Sequence, residues 1–181
     1  DGDLDILVGY QANAGTGYLK LFKFSAEYDE YGYPDGGQYE TSPHWISPLM
    51  NPMDIALSDY NDDGYTDLAI ATTPNSMGDF QWVANTGFDY VFDNTMGNFS
   101  SSADWTSPTT MVTSSIKWAD IDGDGKMSLA RGGWKTWIGG GEGIPISFND
   151  DSRVEIFDVQ STISGLTISS SISWTSDSSI F

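Results

Sequence analysis

Along this chain apolar and polar residues alternate in short runs and never settle into a helical period. "DIALS" (54–58) and "SIKWA" (115–119) put Ile55/Leu57 and Ile116/Trp118 at alternate positions, the two-residue period of a strand. "DLAIAT" (67–72) and "DILVG" (5–9) read as strands that follow an acidic loop. A third kind of strand ends in a recurring aromatic, in "LKLFKF" (19–24), "YVF" (90–92) and "VEIFDV" (154–159). A fourth, short strand is expected beside a recurring tryptophan, because "SPHWISP" (42–48), "SADWTSP" (102–108) and "SISWTSD" (171–177) share S-x-x-W-[IT]-S. The pattern predicts an all-β protein.

These elements recur in phase. "DYNDDGYTDLAIAT" (59–72) aligns with "DIDGDGKMSLARG" (120–132) as D-x-[DN]-x-D-G-x-x-[DS]-[LI]. The opening "DGDLDILVG" supplies the tail of a third copy, with Asp1, Gly2 and Asp5 in the places of Asp63, Gly64 and Asp67. The ninth loop position therefore falls at 5, 67 and 128, a spacing of 62 and then 61 residues. The tryptophan motif keeps step, since Trp45 precedes Asp59 by 14 residues and Trp105 precedes Asp120 by 15. Four short antiparallel strands repeated at this period predict β-propeller blades. The divisions are 1–50 for a partial blade, 51–112 for a second and 113–181 for a third that lacks the start of the next repeat, all within one propeller domain. Propellers close with roughly four to eight blades, so fewer than three imply a piece of a longer protein. A ring completed by other copies of the chain is the alternative.

Composition sharpens the chemistry. Of 26 acidic residues only five are glutamate (27, 30, 40, 142 and 155), against seven Lys plus Arg, and the net charge is −19. Aspartate is a poor helix former but a good turn residue and cation ligand. Such acidity argues against nucleic acid, which rewards clustered Lys and Arg. It also suits a solvated surface in salty or extracellular surroundings. Cysteine is absent, so no disulfide staples the fold, and no apolar run is long enough to span a bilayer.

In the acidic loops, residues at positions 1, 3, 5 and 9 with a backbone carbonyl at 7 make an all-oxygen cage for a hard cation. Gly64 and Gly125 allow the sharp turn around it. The first loop offers Asp59, Asn61, Asp63, the carbonyl of Tyr65, and Asp67. The second offers Asp120, Asp122, Asp124, the carbonyl of Lys126, and Ser128 in place of the last carboxylate. Weaker binding is expected there, with the Lys126 charge on its rim. In the truncated copy Asp5 would be a ligand and Asp3 would offer its carbonyl beside Asp1. Calcium is the expected ion, one per complete loop, ahead of magnesium, which prefers a smaller octahedron and its own waters. Zinc lacks its ligands, since His44 is the only histidine and lies outside the loops. An EF-hand would need Glu at position 12, where Ile70 and Arg131 stand, and helices on both flanks. An acidic turn closed by side-chain-to-backbone bonds alone is the competing reading.

The two complete loops with their strands resemble FG-GAP/VCBS repeats, the calcium-loop blades of integrin-α-like propellers. The resemblance covers nearly the whole chain. It implies a propeller, usually of seven blades, with calcium between the first two strands of each and a secreted or cell-surface location. Ser128, Arg131 and the glycine-rich "WIGGGEGIPISF" (137–148) depart from the pattern in the third copy.

Three functions fit. The first is a non-catalytic recognition or adhesion module for a cell-surface protein or glycan, displaying loops such as "EYDEYGYPDGGQY" (27–39) with Tyr28, Tyr31, Tyr33 and Tyr39. The second is a structural subunit of a surface layer, sheath or filament that binds other copies of itself. The third is the propeller portion of a polysaccharide-acting enzyme. No acid–base constellation is visible, the Asp pairs lie in the cation loops, and His44 beside Trp45 reads as a packed side chain. Asn98-Phe99-Ser100 is a single N-glycosylation sequon.

Overall fold

The computed structural model describes residues 3–11, 17–73, 87–134, 137–138, 147–148 and 152–176. Every regular element among them is a strand, and every pairing is antiparallel. β1 (Ile6–Gln11) pairs with β2 (Gly17–Phe22), which pairs with β5 (Trp45–Ile46). Between β2 and β5 the chain makes a separate hairpin, β3 (Phe24–Tyr28) with β4 (Pro34–Tyr39). The stretch 27–39, expected as a loop, is therefore strand and turn.

A second sheet runs in the order β6-β7-β8-β11, with β6 (Asn51–Ser58), β7 (Asp67–Thr73), β8 (Tyr90–Phe92) and β11 (Trp105–Thr106). It too carries a hairpin between its third and fourth strands, β9 (Asn94–Thr95) with β10 (Asn98–Phe99). The third sheet repeats the order with β12 (Val112–Ala119), β13 (Ser128–Trp134), β16 (Ser152–Thr162) and β18 (Trp174–Thr175). Here the far end of β16 pairs with β17 (Gly165–Ile168) to make the excursion. A small extra pair, β14 (Trp137–Ile138) with β15 (Ser147–Phe148), falls in the glycine-rich stretch that lengthens the third copy. β6 and β12 are irregular at the same place, between Pro52 and Asp54 and between Thr113 and Ser115, as a bulge conserves its position when the local twist must be re-aimed.

β7 explains how the sheets meet. Leu68 and Ile70 face the first sheet and pack with Leu19, Leu21, Trp45, Met50 and Phe92. Ala69 and Ala71, one residue out of phase, face the third sheet with Trp105, Ile116, Leu129, Phe157 and Val159. A strand covered on both sides must be apolar throughout, which is why "LAIA" shows no polar alternation. The tryptophans knit these faces. Trp45 Nε1 donates to the Ser100 carbonyl of the second sheet at 2.9 Å, and its ring meets Phe92 edge-on at 5.3 Å. Trp105 repeats the arrangement one sheet on, donating to the Ser169 carbonyl at 3.1 Å and meeting Phe157 at 5.1 Å. Trp45 and Trp105 are 8% and 9% exposed, whereas Trp174, the third of the set, is 52% exposed.

Candidate cation loops and a buried ionic network

Both complete acidic loops sit at one end of their sheets, joining the first strand to the second. Each closes on itself in the same way. Asp59 accepts from the Asp63 and Gly64 N–H groups at 3.0 and 2.9 Å, Asn61 Oδ1 from Asp63 N–H at 3.0 Å, and Asp63 from Tyr65 N–H at 2.8 Å. In the second loop Asp120 accepts from Gly123 and Gly125 at 2.8 and 3.1 Å, Asp122 from Asp124 at 3.1 Å, and Asp124 from Lys126 at 2.8 Å. The fourth and sixth positions are left-handed in both, Asp62 and Gly64 at φ 60° and 89°, Gly123 and Gly125 at φ 79° and 87°. A non-glycine residue accepts that conformation most readily when it is Asn or Asp, so Asp62 can stand where the other loop has glycine.

These bonds turn the side chains inward. Asp120, Asp122 and Asp124 offer carboxylate oxygens within 4.8 Å of one another, an all-oxygen set that could hold a hard divalent cation. Lys126 Nζ already lies 3.0 Å from Asp124 Oδ2, and with its backbone N–H it holds that carboxyl below the usual range. An open cleft of about 330 Å³ beside the loop is lined by Asp122, Asp124, Lys126, Ser128 and Asp158. Ser128 does not present a carboxylate to it, but its hydroxyl donates to Asp158 Oδ1 at 3.2 Å, so a carboxylate from β16 lies beside the ninth position.

Asp67 behaves differently from its expected partners. It is fully buried, and it accepts from the N–H groups of Asn94 at 2.8 Å and Tyr60 at 3.3 Å, tying the loop to β9. Burial is the main cause that pushes its carboxyl up to about 7, with Asp93 and Asp63 adding to it against those two N–H bonds. Asp93, which accepts a hydrogen bond from the Tyr60 hydroxyl at 2.8 Å, is likewise raised, first by burial. In the first copy Asp5 holds the Phe24 N–H at 2.9 Å and Asp3 the Ala26 N–H at 3.3 Å, while Asp1 lies outside the described residues. The equivalence of Asp5 and Asp67 is thus structural as well as sequential. Each anchors the first residue of a hairpin.

Reading the sequence missed a second cluster. Arg131, buried in the middle of β13, donates to Asp89 at 2.6 Å and to Glu155 at 3.0 and 2.5 Å, and to Thr109 Oγ1 and its carbonyl at 2.5 and 2.9 Å. Asp89 also accepts from Thr113 at 2.6 Å and from the Thr72 N–H at 2.8 Å. Arg153 pairs with the second oxygen of Glu155. Burial nonetheless raises the Asp89 carboxyl, against the pull of Arg131. The signal was present, because an arginine in an apolar strand requires buried acids nearby. His44 is exposed rather than packed, with Nε2 3.1 Å from Asn98 Oδ1 and Nδ1 3.5 Å from Glu40. No helix among the described residues is long and apolar enough to cross a membrane. No protein-family model matches this sequence, and no curated protein matches it.

Proposed function

We propose that the chain is part of an extracellular, calcium-stabilised β-propeller of the FG-GAP/VCBS kind, serving as a non-catalytic recognition or adhesion module at a cell surface. The observation that carries this reading is a division of labour between two kinds of junction, the acidic loop of the second and third sheets and the excursion found in all three. One junction is an inward-curled acidic loop that suits a cation, while the junction between third and fourth strands varies freely, from the projecting β3–β4 to the short β9–β10. A rigid frame with variable excursions is how binding surfaces are built. The Asp59, Asn61, Asp63 and Tyr65 oxygens would hold one ion and those of Asp120, Asp122, Asp124 and Lys126 another, its role being to neutralise carboxylates crowded at a strand junction. Binding would then contribute directly to folding free energy.

Thermal unfolding followed by circular dichroism tests this. Calcium should raise the melting temperature and a chelator lower it, with magnesium less effective. Asp63→Ala should flatten that response and Asp124→Ala should do so less. A melt indifferent to calcium removes the ion from the reading, and an equal loss at Asp124 refutes the ranking of the loops.

A second reading, a self-assembling structural subunit, is favoured by the half-exposed Trp174 and by Ile6, Val8 and Tyr10 exposed along β1 at the other end of the stack. Either a further unit or another copy would cover such faces. Sedimentation of the purified chain over a concentration series separates the readings, since a concentration-independent monomer leaves no role for self-assembly.

A further inference from the structure

The β3–β4 hairpin stands off the body of the protein, with every residue of β4 exposed. It carries Tyr28, Tyr31 and Tyr33 at 61%, 76% and 69% exposure. Large aromatic surface left in water is unfavourable and marks an interaction site when it is grouped. Neither of the other two excursions resembles it, for β9–β10 and the β16–β17 turn carry no tyrosine.

The hairpin is also rigid. Asp29 accepts from the Tyr31 and Tyr33 N–H groups at 2.9 and 2.8 Å, and its own N–H donates to the Tyr33 carbonyl at 2.9 Å, closing the tip with Gly32 at φ 83°. At the root Tyr39 lies edge-on to Phe24 at 5.0 Å and donates to the Leu4 carbonyl at 3.1 Å, while Asp3 and Asp5 hold β3. The backbone that carries the tyrosines is therefore held at both ends, which lowers the ordering cost of binding.

Charge decides the partner. Glu27, Asp29, Glu30, Asp35 and Glu40 lie between Phe24 and Glu40, and no lysine or arginine does. The open cleft of about 550 Å³ at the foot, lined by residues that include Gln38, Glu40 and His44, has no lysine or arginine in its wall either. Anionic glycans and acidic proteins are repelled. Tyrosine faces interleaved with carboxylates attract guanidinium and ammonium groups by two additive routes, the ring quadrupole and ion pairing. Pro34 and the positive φ of Gly36 and Gly37 spoil β4 as an edge for an added strand, so side chains make the contact.

Resting on the recognition reading above, we infer that the β3–β4 hairpin is the docking element for an arginine- or lysine-bearing segment of a partner protein. The test is calorimetric titration of the calcium-loaded chain with a dodecapeptide of alternating arginine and glycine, with amide hydrogen exchange to locate it. Replacing Tyr28, Tyr31 and Tyr33 together by serine keeps every carboxylate. It should weaken binding about tenfold and abolish peptide-induced protection of residues 24–39, leaving the melting temperature unchanged. The Glu27→Gln, Glu30→Gln, Asp35→Asn variant should instead lose the salt dependence of binding. Equal affinity of the tyrosine variant would mean generic attraction to an acidic surface and overturn the inference. So would protection of the hairpin by a neutral probe such as cellohexaose with indifference to the peptide, which would place a glycan there. If the melt responds to calcium while the tyrosine variant binds normally, this inference alone falls. If the melt ignores calcium but the tyrosines matter, the calcium-propeller reading falls and the docking element stands.

Discussion

Arg131 stands where the other two copies carry Val8 and Ile70, and that one exchange converts an apolar contact between sheets into an ionic one. The network is satisfied at the guanidinium by two carboxylates and Thr109, yet burial of so much charge brings little net stability; its worth shows when it is broken. Arg131→Ala should cost about 3–5 kcal/mol in urea unfolding, because Asp89 would remain buried without its counter-charge and Glu155 would keep only Arg153. Arg131→Met with Asp89→Asn and Glu155→Gln should cost much less, and a triple change as damaging as the single one would show that packing, not charge, is at stake. Asp67 gives a pH dependence of defined sign. Its folded carboxyl titrates near 7, well above an unfolded aspartate, so the folded state binds its proton more tightly. The stability it contributes is fully present below about pH 4 and is lost as pH rises through about 7. In chelator the melting temperature should therefore fall across that window, and Asp67→Asn should flatten the decline. A wild-type melt that stays level would refute the raised carboxyl.

At the scale of elements, the strands were legible because their periods are short and their ends are marked. "DIALS", "SIKWA", "DLAIAT" and the aromatic-ended runs all became strands, and each tryptophan motif contains a two-residue strand at the sheet edge. The β3–β4 hairpin was not legible, since glycine, proline and acidic residues dominate it and no apolar face marks it. Its order comes from Asp29 and from anchors at Leu4 and Asp5, distant in sequence. The tryptophans offer a graded test. Trp105→Phe removes chiefly the bond to Ser169 and should cost about 1 kcal/mol, whereas Trp105→Ala should cost about 3–5. Trp174→Ala, at a half-exposed site, should cost under about 1 kcal/mol. A loss at Trp174 equal to that at Trp105 would show its face to be covered in solution.

For the whole molecule the organising fact is a stack of three sheets in which the middle one shows large side chains to one neighbour and small ones to the other. Leu68 and Ile70 against Ala69 and Ala71 state this within four residues, and Asp54 adds a polar tie from β6 to β12 through Ser115, Ile116 and Lys117. Burial pushes the Asp54 carboxyl up, but Lys117 and the other donors outweigh it and hold it below its ordinary value. The all-β class, the main strands of each sheet, the spacing of the motifs and the acidic loops could be read from the chain alone, because backbone periodicity and turn chemistry are local. Which carboxylates come together was left to the tertiary structure. Asp120, Asp122 and Asp124 converge within one loop, whereas Asp67 turns inward to hold β9 and Asp158 arrives from another strand. It likewise decided that Arg131 meets Asp89 and Glu155, and that four tyrosines in an acidic stretch stand on a fixed hairpin. Such pairings depend on strand register and sheet stacking, which join residues far apart in the chain and leave no periodic trace in it.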